Sequence, residues 1–170
     1  MDTFIIFLED ALFAAIAAIG FGSISNILLK GFSASAILAA AGHNIRLYLM
    51  NYEMWNIVPA SLIAGLGIGL LSIPISAIWK IRSETLSSPA LLPMIPGMYA
   101  YRSVQSLILC FQSNEISDFE HYFGLFSYNF ITCVLAVTSL VIGIVSPRIL
   151  FHKGYGSEFE EISLSLQRLE

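Results

Sequence analysis

Four ionisable side chains lie inside apolar segments, where they could bind a ligand or carry a proton. Glu9 and Asp10 fall early in one apolar run, and His43 and Arg46 lie three residues apart in another. Residues at that spacing share a helix face. A histidine titrates near neutral pH and can relay protons, whereas an arginine can hold a carboxylate through paired hydrogen bonds. Ionisable groups within a membrane segment indicate a substrate or proton site.

Both pairs also have a structural interpretation. Glu9 and Asp10 occupy the first turns of their segment, where they would lie among lipid headgroups. Arg46 could extend its guanidinium from an interfacial helix end into water while its stem stays in apolar surroundings. For both pairs, the position in the sequence does not decide between the functional and the structural interpretation.

The stretch from Pro89 to Arg102 is apolar yet unsuited to a continuous helix. Pro93 and Pro96 lack an N–H donor and push the preceding residue toward extended geometry, and Gly97 follows directly. We therefore predict a break at Pro93–Gly97. Irregular backbone at membrane depth occurs where protein or water covers it, as in the discontinuous helices of secondary transporters. The alternative is a helix that starts at one of these prolines at the membrane surface.

A half-helix that begins at Gly97 would suit an anionic ligand. Its free N–H groups and the positive end of its dipole attract negative charge. Arg102, five residues later, adds a formal positive charge. We predict a substrate that carries a carboxylate, either anionic or zwitterionic.

Composition places these residues in a membrane protein. The chain has 170 residues, of which 56% are hydrophobic and 12% are charged, against about 25% charged in soluble domains. We predict an all-α integral membrane protein with five transmembrane helices, each long enough for the roughly 20 residues that a crossing needs. The predicted spans are residues 4–24, 32–50, 55–79, 89–111 and 123–145, in one domain of residues 1–150 with a short cytoplasmic tail, 151–170.

Small residues indicate close helix packing. Ala14, Ala18 and Gly22 recur every four residues, as do Gly65 and Gly69. Such small-xxx-small faces let helix backbones approach one another.

Several classes of function are disfavoured. The isolated Cys110 and Cys133 lack motif spacing, and the histidines lack zinc-ligand spacing. Neither paired carboxylates nor a nucleophile beside a base is apparent. The net charge of −4 gives no basic surface for nucleic acid. We expect no metal site, no cofactor and no enzymatic activity.

Charge in the connecting segments predicts the orientation. Basic residues follow spans one, three and five, and acidic residues follow spans two and four. Because basic loops stay in the cytoplasm, we predict the N-terminus outside and the C-terminus inside. The basic set is Lys30, Lys80, Arg82, Arg148 and Lys153, and the acidic set is Glu53, Glu115, Asp118 and Glu120.

Three stretches resemble the threonine/serine exporter family. They are Ala41–Arg46, Gly65–Gly69 and Leu92–Tyr101, the last of which carries a Pro-x-x-Pro-Gly-x-x-x-Tyr signature. Nearly the whole chain is similar to the short, second-half component of a two-part exporter. Matching family positions are Gly42, His43, Arg46, Pro93, Pro96, Gly97 and Tyr101, and Arg102 matches some members.

The resemblance implies a partner and a set of substrates. A longer homologous transmembrane component would supply the first half, and the pair would export threonine and serine, or a dicarboxylate such as succinate, across the bacterial cytoplasmic (inner) membrane. The proton motive force would drive this transport.

The predicted site follows from both lines of reasoning. We expect Arg46, Pro96, Gly97, Tyr101 and Arg102 to bind substrate. His43, or else Glu9 or Asp10, would carry the coupled proton. The alternative function is a non-transporting assembly subunit that stabilises the partner transporter, in which case the same motifs are packing features.

Overall fold

The computed structural model describes residues 2–25 and 27–151, and within them it is helical and contains no strand. The elements are α1 (Asp2–Ile24), α2 (Leu29–Asn51), α3 (Ile57–Trp79), α4 (Ser83–Leu91), a 3-10 turn (Leu92–Met94), α5 (Gly97–Gln112) and α6 (Ile116–Phe151). The predicted all-α architecture is confirmed. The predicted tail beyond residue 151 lies outside the described residues.

Three of the described helices have the length and composition to cross a bilayer. They are α1 from Phe4 onward, α3, and α6 as far as Leu150, with mean hydropathies of 2.1, 2.0 and 2.2. α2 is as long as α3 but carries His43, Asn44 and Arg46. α4 and α5 are each too short to cross alone. Five crossings therefore remain a prediction for α2 and for the combined α4–α5 segment.

The predicted helix break is confirmed at the expected residues. Ile95 is extended, with φ −60° and ψ 129°, Pro96 has φ −77° and ψ 68°, and α5 begins at Gly97. Proline at position 96 offers no N–H to continue the preceding helix. The predicted fourth segment thus consists of α4 and α5, separated by a 3-10 turn and the extended Ile95.

Three helix boundaries differ from the predicted spans by six or seven residues, one being the end of α6, which lies at Phe151 instead of residue 145. The fourth segment begins at Ser83 instead of residue 89, because Glu84 lies in the first turn, where an acidic residue is favourable. Ser87 and Ser88 donate their hydroxyl protons back to the Glu84 carbonyl, so these polar residues are satisfied within the helix. α6 begins at Ile116 instead of residue 123, again with an acidic residue, Asp118, in its first turn.

Small residues determine where the helices meet. Ala14 and Ala18 of α1 are buried, and a Cβ at Gly22 would lie 3.0 Å from the Phe32 ring of α2. On α3, a Cβ at Gly65 would lie 2.7 Å from the Leu140 carbonyl oxygen of α6. The predicted small-xxx-small packing is confirmed on both helices.

Gly143 of α6 completes the contact between α3 and α6. A Cβ there would lie 2.5 Å from the Leu62 carbonyl oxygen, and one at Gly69 would lie 2.8 Å from the Ile144 carbonyl oxygen. Backbone therefore touches backbone along this pair, and α3 and α6 run in the same direction.

α4 and the 3-10 turn sit inside the bundle, whereas α5 leaves it. Leu86, Ala90 and Met94 are fully buried in the same apolar cluster as Leu38 and Ile68. Beyond the break, α5 packs along the first half of α6 and forms no comparable contact with another described helix. The two helices are antiparallel, since Pro96 approaches Cys133 and Cys110 approaches Phe119.

Candidate functional site

Asp10 and His43 form a hydrogen-bonded pair between α1 and α2. His43 Nδ1 lies 3.1 Å from Asp10 Oδ2, and the side chains are 14% and 30% exposed. Asp10 lies eight residues inside α1, and His43 lies eight residues before the end of α2. At 1.5 Å per residue, the pair is about 12 Å from the nearest helix ends. The pair thus belongs to the bundle interior and not to its rim.

The other side of the imidazole ring has no partner. His43 Nε2 is buried and lacks a hydrogen bond within the described residues, as does Asn44 Oδ1 beside it. The Asp10 carboxylate can accept the Nδ1–H. When Nδ1 carries the proton of a neutral imidazole, Nε2 is a hydrogen-bond acceptor. Nε2 is then a buried ring nitrogen without a partner among the described residues. Buried polar atoms without partners are uncommon and mark places for water or a ligand.

Arg46 connects α2 to the broken helix. Its Nη1 donates to the Met94 carbonyl oxygen at 2.5 Å, and Met94 is fully buried. In a continuous helix that carbonyl would accept from Met98, but the break prevents this bond. The Arg46 guanidinium therefore supplies the hydrogen bond that the Met94 carbonyl loses because of the break. Arg46 lies one helical turn from His43, which bonds Asp10, so Asp10, His43 and Arg46 form one cluster beside the break.

The start of α5 is open. The Pro96 carbonyl accepts from Tyr99 N at 3.1 Å and Ala100 N at 3.3 Å, and no side chain caps the helix. A Cβ built at Gly97 would meet nothing within 4 Å. The backbone of the first turn is therefore uncovered at Gly97, because no side chain lies against it.

A polar groove of about 490 Å³ runs between α5 and α6. Among the described residues that line it, Arg102 carries a formal positive charge and none carries a carboxylate. Asn129 is 7% exposed and donates Nδ2–H to the Leu125 carbonyl at 2.7 Å. We call this feature the α5–α6 groove, and its lining is Tyr99, Arg102, Gln105, Ser106, Leu109, Tyr122, Leu125, Tyr128 and Asn129.

The predicted site residues thus fall into two groups. Asp10, His43 and Arg46 meet beside the break, whereas Arg102 lines the α5–α6 groove. Arg46 is not part of that lining, so the structure does not bring the two arginines together. Pro96 and Gly97 form the junction between the groups.

Two predicted residues lie outside both groups. Tyr101 is 62% exposed and does not line the groove. Glu9 is exposed and forms no ion pair with the described residues, although it precedes Asp10 directly. Of the two neighbouring acids, Asp10 is therefore the one that reaches His43.

Sequence reasoning missed the role of Arg148. This residue of α6 donates to the Ser87 hydroxyl and, at 3.2 Å, to the Ser83 carbonyl at the start of α4. Together with Arg46, it holds the half-helix from Ser83 to Met94 at both ends. An arginine late in an apolar helix was the available signal, but its partner lies more than sixty positions away in the sequence.

The groove residues Gln105 and Asn129 were also missed, although a signal was present. Arg102, Gln105, Ser106 and Leu109 follow three- and four-residue spacing, which places them on one face of α5. Polar and apolar residues segregate more strongly on α5 than on any other described helix.

Comparisons with known proteins give a consistent result. A family model described as threonine/serine exporter, ThrE, matches residues 10–150. An uncharacterized protein of Haemophilus influenzae is 33% identical over 146 residues, which are 86% of this chain and 48% of that relative. The chain therefore spans about half the length of the curated relative it matches. No solved structure matches the chain.

Proposed function

The chain belongs to the threonine/serine exporter family, and on that premise we propose that it forms one half of a proton-coupled secondary exporter. Its partner would be a longer homologous transmembrane component. Its substrates would be threonine and serine, or a dicarboxylate such as succinate. The observation that carries the proposal is the cluster of Asp10, His43 and Arg46 beside a broken helix. Discontinuous helices with ionisable neighbours mark transport sites in other secondary transporters.

Asp10 and His43 are proposed to carry the coupled proton. The pair is partly buried in an apolar bundle, where an ionisable group is costly to keep without a function. The carboxylate stabilises the protonated imidazole, and the free Nε2 exchanges protons with water or substrate. Glu9 is the weaker candidate, because it is exposed and lies outside the pair.

Arg102 and the start of α5 are proposed to hold the substrate carboxylate. Arg102 lacks a carboxylate partner among the described groove residues, so an anionic group would complete its environment. The start of α5 adds the Met98 N–H, because the N–H groups of Gly97, Tyr99 and Ala100 already donate to backbone carbonyls. Arg46 uses one of its five N–H donors on Met94. The other donors could assist the carboxylate, and Tyr101 would contact the substrate only after a movement of α5.

The proposed location is the bacterial inner membrane, with five crossings, the N-terminus outside and the C-terminus in the cytoplasm. Antiparallel α1, α2 and α3 place Lys30, Lys80 and Arg82 at one end of the bundle. Glu53, Glu115 and Asp118 lie at the other end. This separation of charge supports the orientation.

The alternative is a non-transporting assembly subunit. The observation that favours it is that Arg46 and Arg148 both bind backbone carbonyls of the α4 half-helix. Buried arginines used in this way stabilise a structure and need no substrate.

Efflux measurements test the proposal. Cells preloaded with labelled threonine, serine or succinate would express this chain alone, with the longer component, or with that component and Arg102→Ala. We expect efflux only when both wild-type chains are present. Arg102→Ala should abolish efflux while the complex still co-purifies, because the substrate loses a charge-assisted hydrogen bond of about 1.5–3 kcal/mol.

The matched control is Arg82→Ala. Arg82 is 80% exposed, and its 3.6 Å ion pair with Glu84 lies at a helix end. An exposed pair of this kind contributes little to stability, so efflux should be unchanged. Efflux from the longer component alone would instead support the assembly-subunit alternative.

A further inference from the structure

The α5–α6 groove carries a charged and several polar side chains that lipid would not satisfy. Arg102, Gln105 and Asn129 line it, whereas Val104 and Ile108 of α5 are exposed and apolar. Polar groups in the hydrocarbon region need protein or water beside them. Along α5, the groove residues lie on a different side from Val104 and Ile108, so the helix has one face suited to lipid and another that is not.

The rest of the described chain does not cover this groove. Every lining residue comes from α5 or α6. α3 meets α6 further along, at Leu140, Gly143 and Ile144, so α5 and the first half of α6 form a two-helix hairpin. In a two-helix hairpin, helix faces remain uncovered where a third helix would normally pack.

We propose that the second transmembrane half of the exporter sits on the α5–α6 groove and closes it into the substrate cavity. This inference rests on the proposed function. It commits to the other exporter half because the relative that the chain matches is about twice as long, with 48% of its length accounted for. Charge supports the same occupant, since Arg102 has no carboxylate in its described lining. The partner would present polar side chains, at least one of them acidic or carboxylate-binding, opposite this arginine.

The test is site-specific photo-crosslinking in the assembled exporter. Tyr128→p-benzoylphenylalanine places the probe in the groove, and Phe130→p-benzoylphenylalanine places it outside the groove on the same helix. Both replacements keep an aromatic ring, and the two native side chains are similarly exposed, at 63% and 51%. The two variants therefore differ chiefly in whether the probe lies in the groove or outside it.

We expect the Tyr128 variant to form several-fold more adduct with the longer component than the Phe130 variant forms. Peptide mapping should place the adduct in a transmembrane segment of that component. Equal yields from the two positions, adducts only with a second copy of this chain, or adducts only with lipid would each overturn the proposal. Gln105→p-benzoylphenylalanine on α5, with Val104 as its control, gives a second measurement if the α6 variants do not assemble.

Efflux in the same cells separates this inference from the function beneath it. Efflux that needs both chains without a groove adduct would leave the exporter assignment standing and remove the groove from the interface. A groove adduct without efflux of any labelled substrate would support the interface and remove the exporter assignment.

Discussion

Asp10 and His43 come from different helices yet share a 3.1 Å hydrogen bond inside an apolar bundle. Arg46 stands one turn from His43 and binds the carbonyl that the helix break releases. A change in the protonation of His43 would therefore act close to the junction at Pro96. In the proposed mechanism, this arrangement would link protonation of His43 to the geometry of the broken helix, and single substitutions can test it.

Asp10→Asn should reduce proton-coupled efflux strongly. The amide oxygen can still accept the His43 Nδ1–H, so the geometry is retained while the negative charge is lost. A hydrogen bond to a charged group contributes about 1.5–3 kcal/mol, which corresponds to about tenfold or more in rate. Initial efflux rates with and without an uncoupler measure the effect, and the variant should lose its response to the uncoupler.

Glu9→Gln is the matched control for this prediction. Glu9 neighbours Asp10 but is exposed and outside the pair. Its substitution should leave the response to the uncoupler intact. Equal effects of the two substitutions would argue against a specific role for the Asp10–His43 pair.

At the scale of elements, two kinds of contact hold the helices in place. Glycines allow α3 and α6 to touch backbone to backbone. Two arginines, Arg46 from α2 and Arg148 from α6, hold the half-helix that precedes the break. α5, on the far side of the break, has neither kind of contact with α1, α2 or α3. The half-helix before the break is therefore anchored, and the half-helix after it depends on α6.

Gly143→Ala should destabilise the protein. The new Cβ would lie 2.5 Å from the Leu62 carbonyl oxygen and 2.8 Å from the Leu66 nitrogen, so α3 and α6 must separate. Overpacking of this kind costs about 1–3 kcal/mol. Thermal unfolding of the purified complex in detergent should show a lower midpoint.

Gly124→Ala is the control on the same helix. A Cβ at Gly124 would meet nothing within 4 Å, and the position is exposed. Alanine favours a helix over glycine by about 1 kcal/mol, so the midpoint should stay equal or rise. A fall of similar size in both variants would contradict the close α3–α6 contact as the cause.

At the scale of the whole molecule, charged and polar side chains lie at the two ends of the bundle and along the α5–α6 groove. Basic residues gather at one end, acidic residues at the other, and the α5–α6 groove opens to the outside of the described chain. The charge separation supports the proposed orientation, and the open groove supports the proposed contact with a second transmembrane half.

Thiol labelling tests the orientation in intact cells. Asn114→Cys lies in the acidic loop after α5 and Arg82→Cys lies in the basic loop before α4, both at exposed positions. A membrane-impermeant maleimide should label the Asn114 variant in intact cells and the Arg82 variant only after lysis, because basic loops are retained in the cytoplasm. The parent chain, with Cys110 buried and Cys133 half-buried, gives the background. The reverse labelling pattern would invert the orientation.

The sequence by itself determined the properties that depend on local composition and spacing. Apolar segments predicted the helices, Pro96 and Gly97 predicted the break, and Gly65 and Gly69 predicted a packing face, because each depends on the backbone chemistry of nearby residues. The helix start at Ser83 was missed because Ser87 and Ser88 are satisfied within α4, and the start at Ile116 because Asp118 is favourable in the first turn of α6.

Only the tertiary structure decided which residues meet. It paired Asp10 and not Glu9 with His43, turned Arg46 toward Met94, and brought Arg148 to Ser87. It also separated Arg102 from Arg46 by placing it in the α5–α6 groove. The physical reason is that these contacts join residues far apart in the chain. Their formation depends on how helices rotate and pack, which side-chain type and local spacing do not specify.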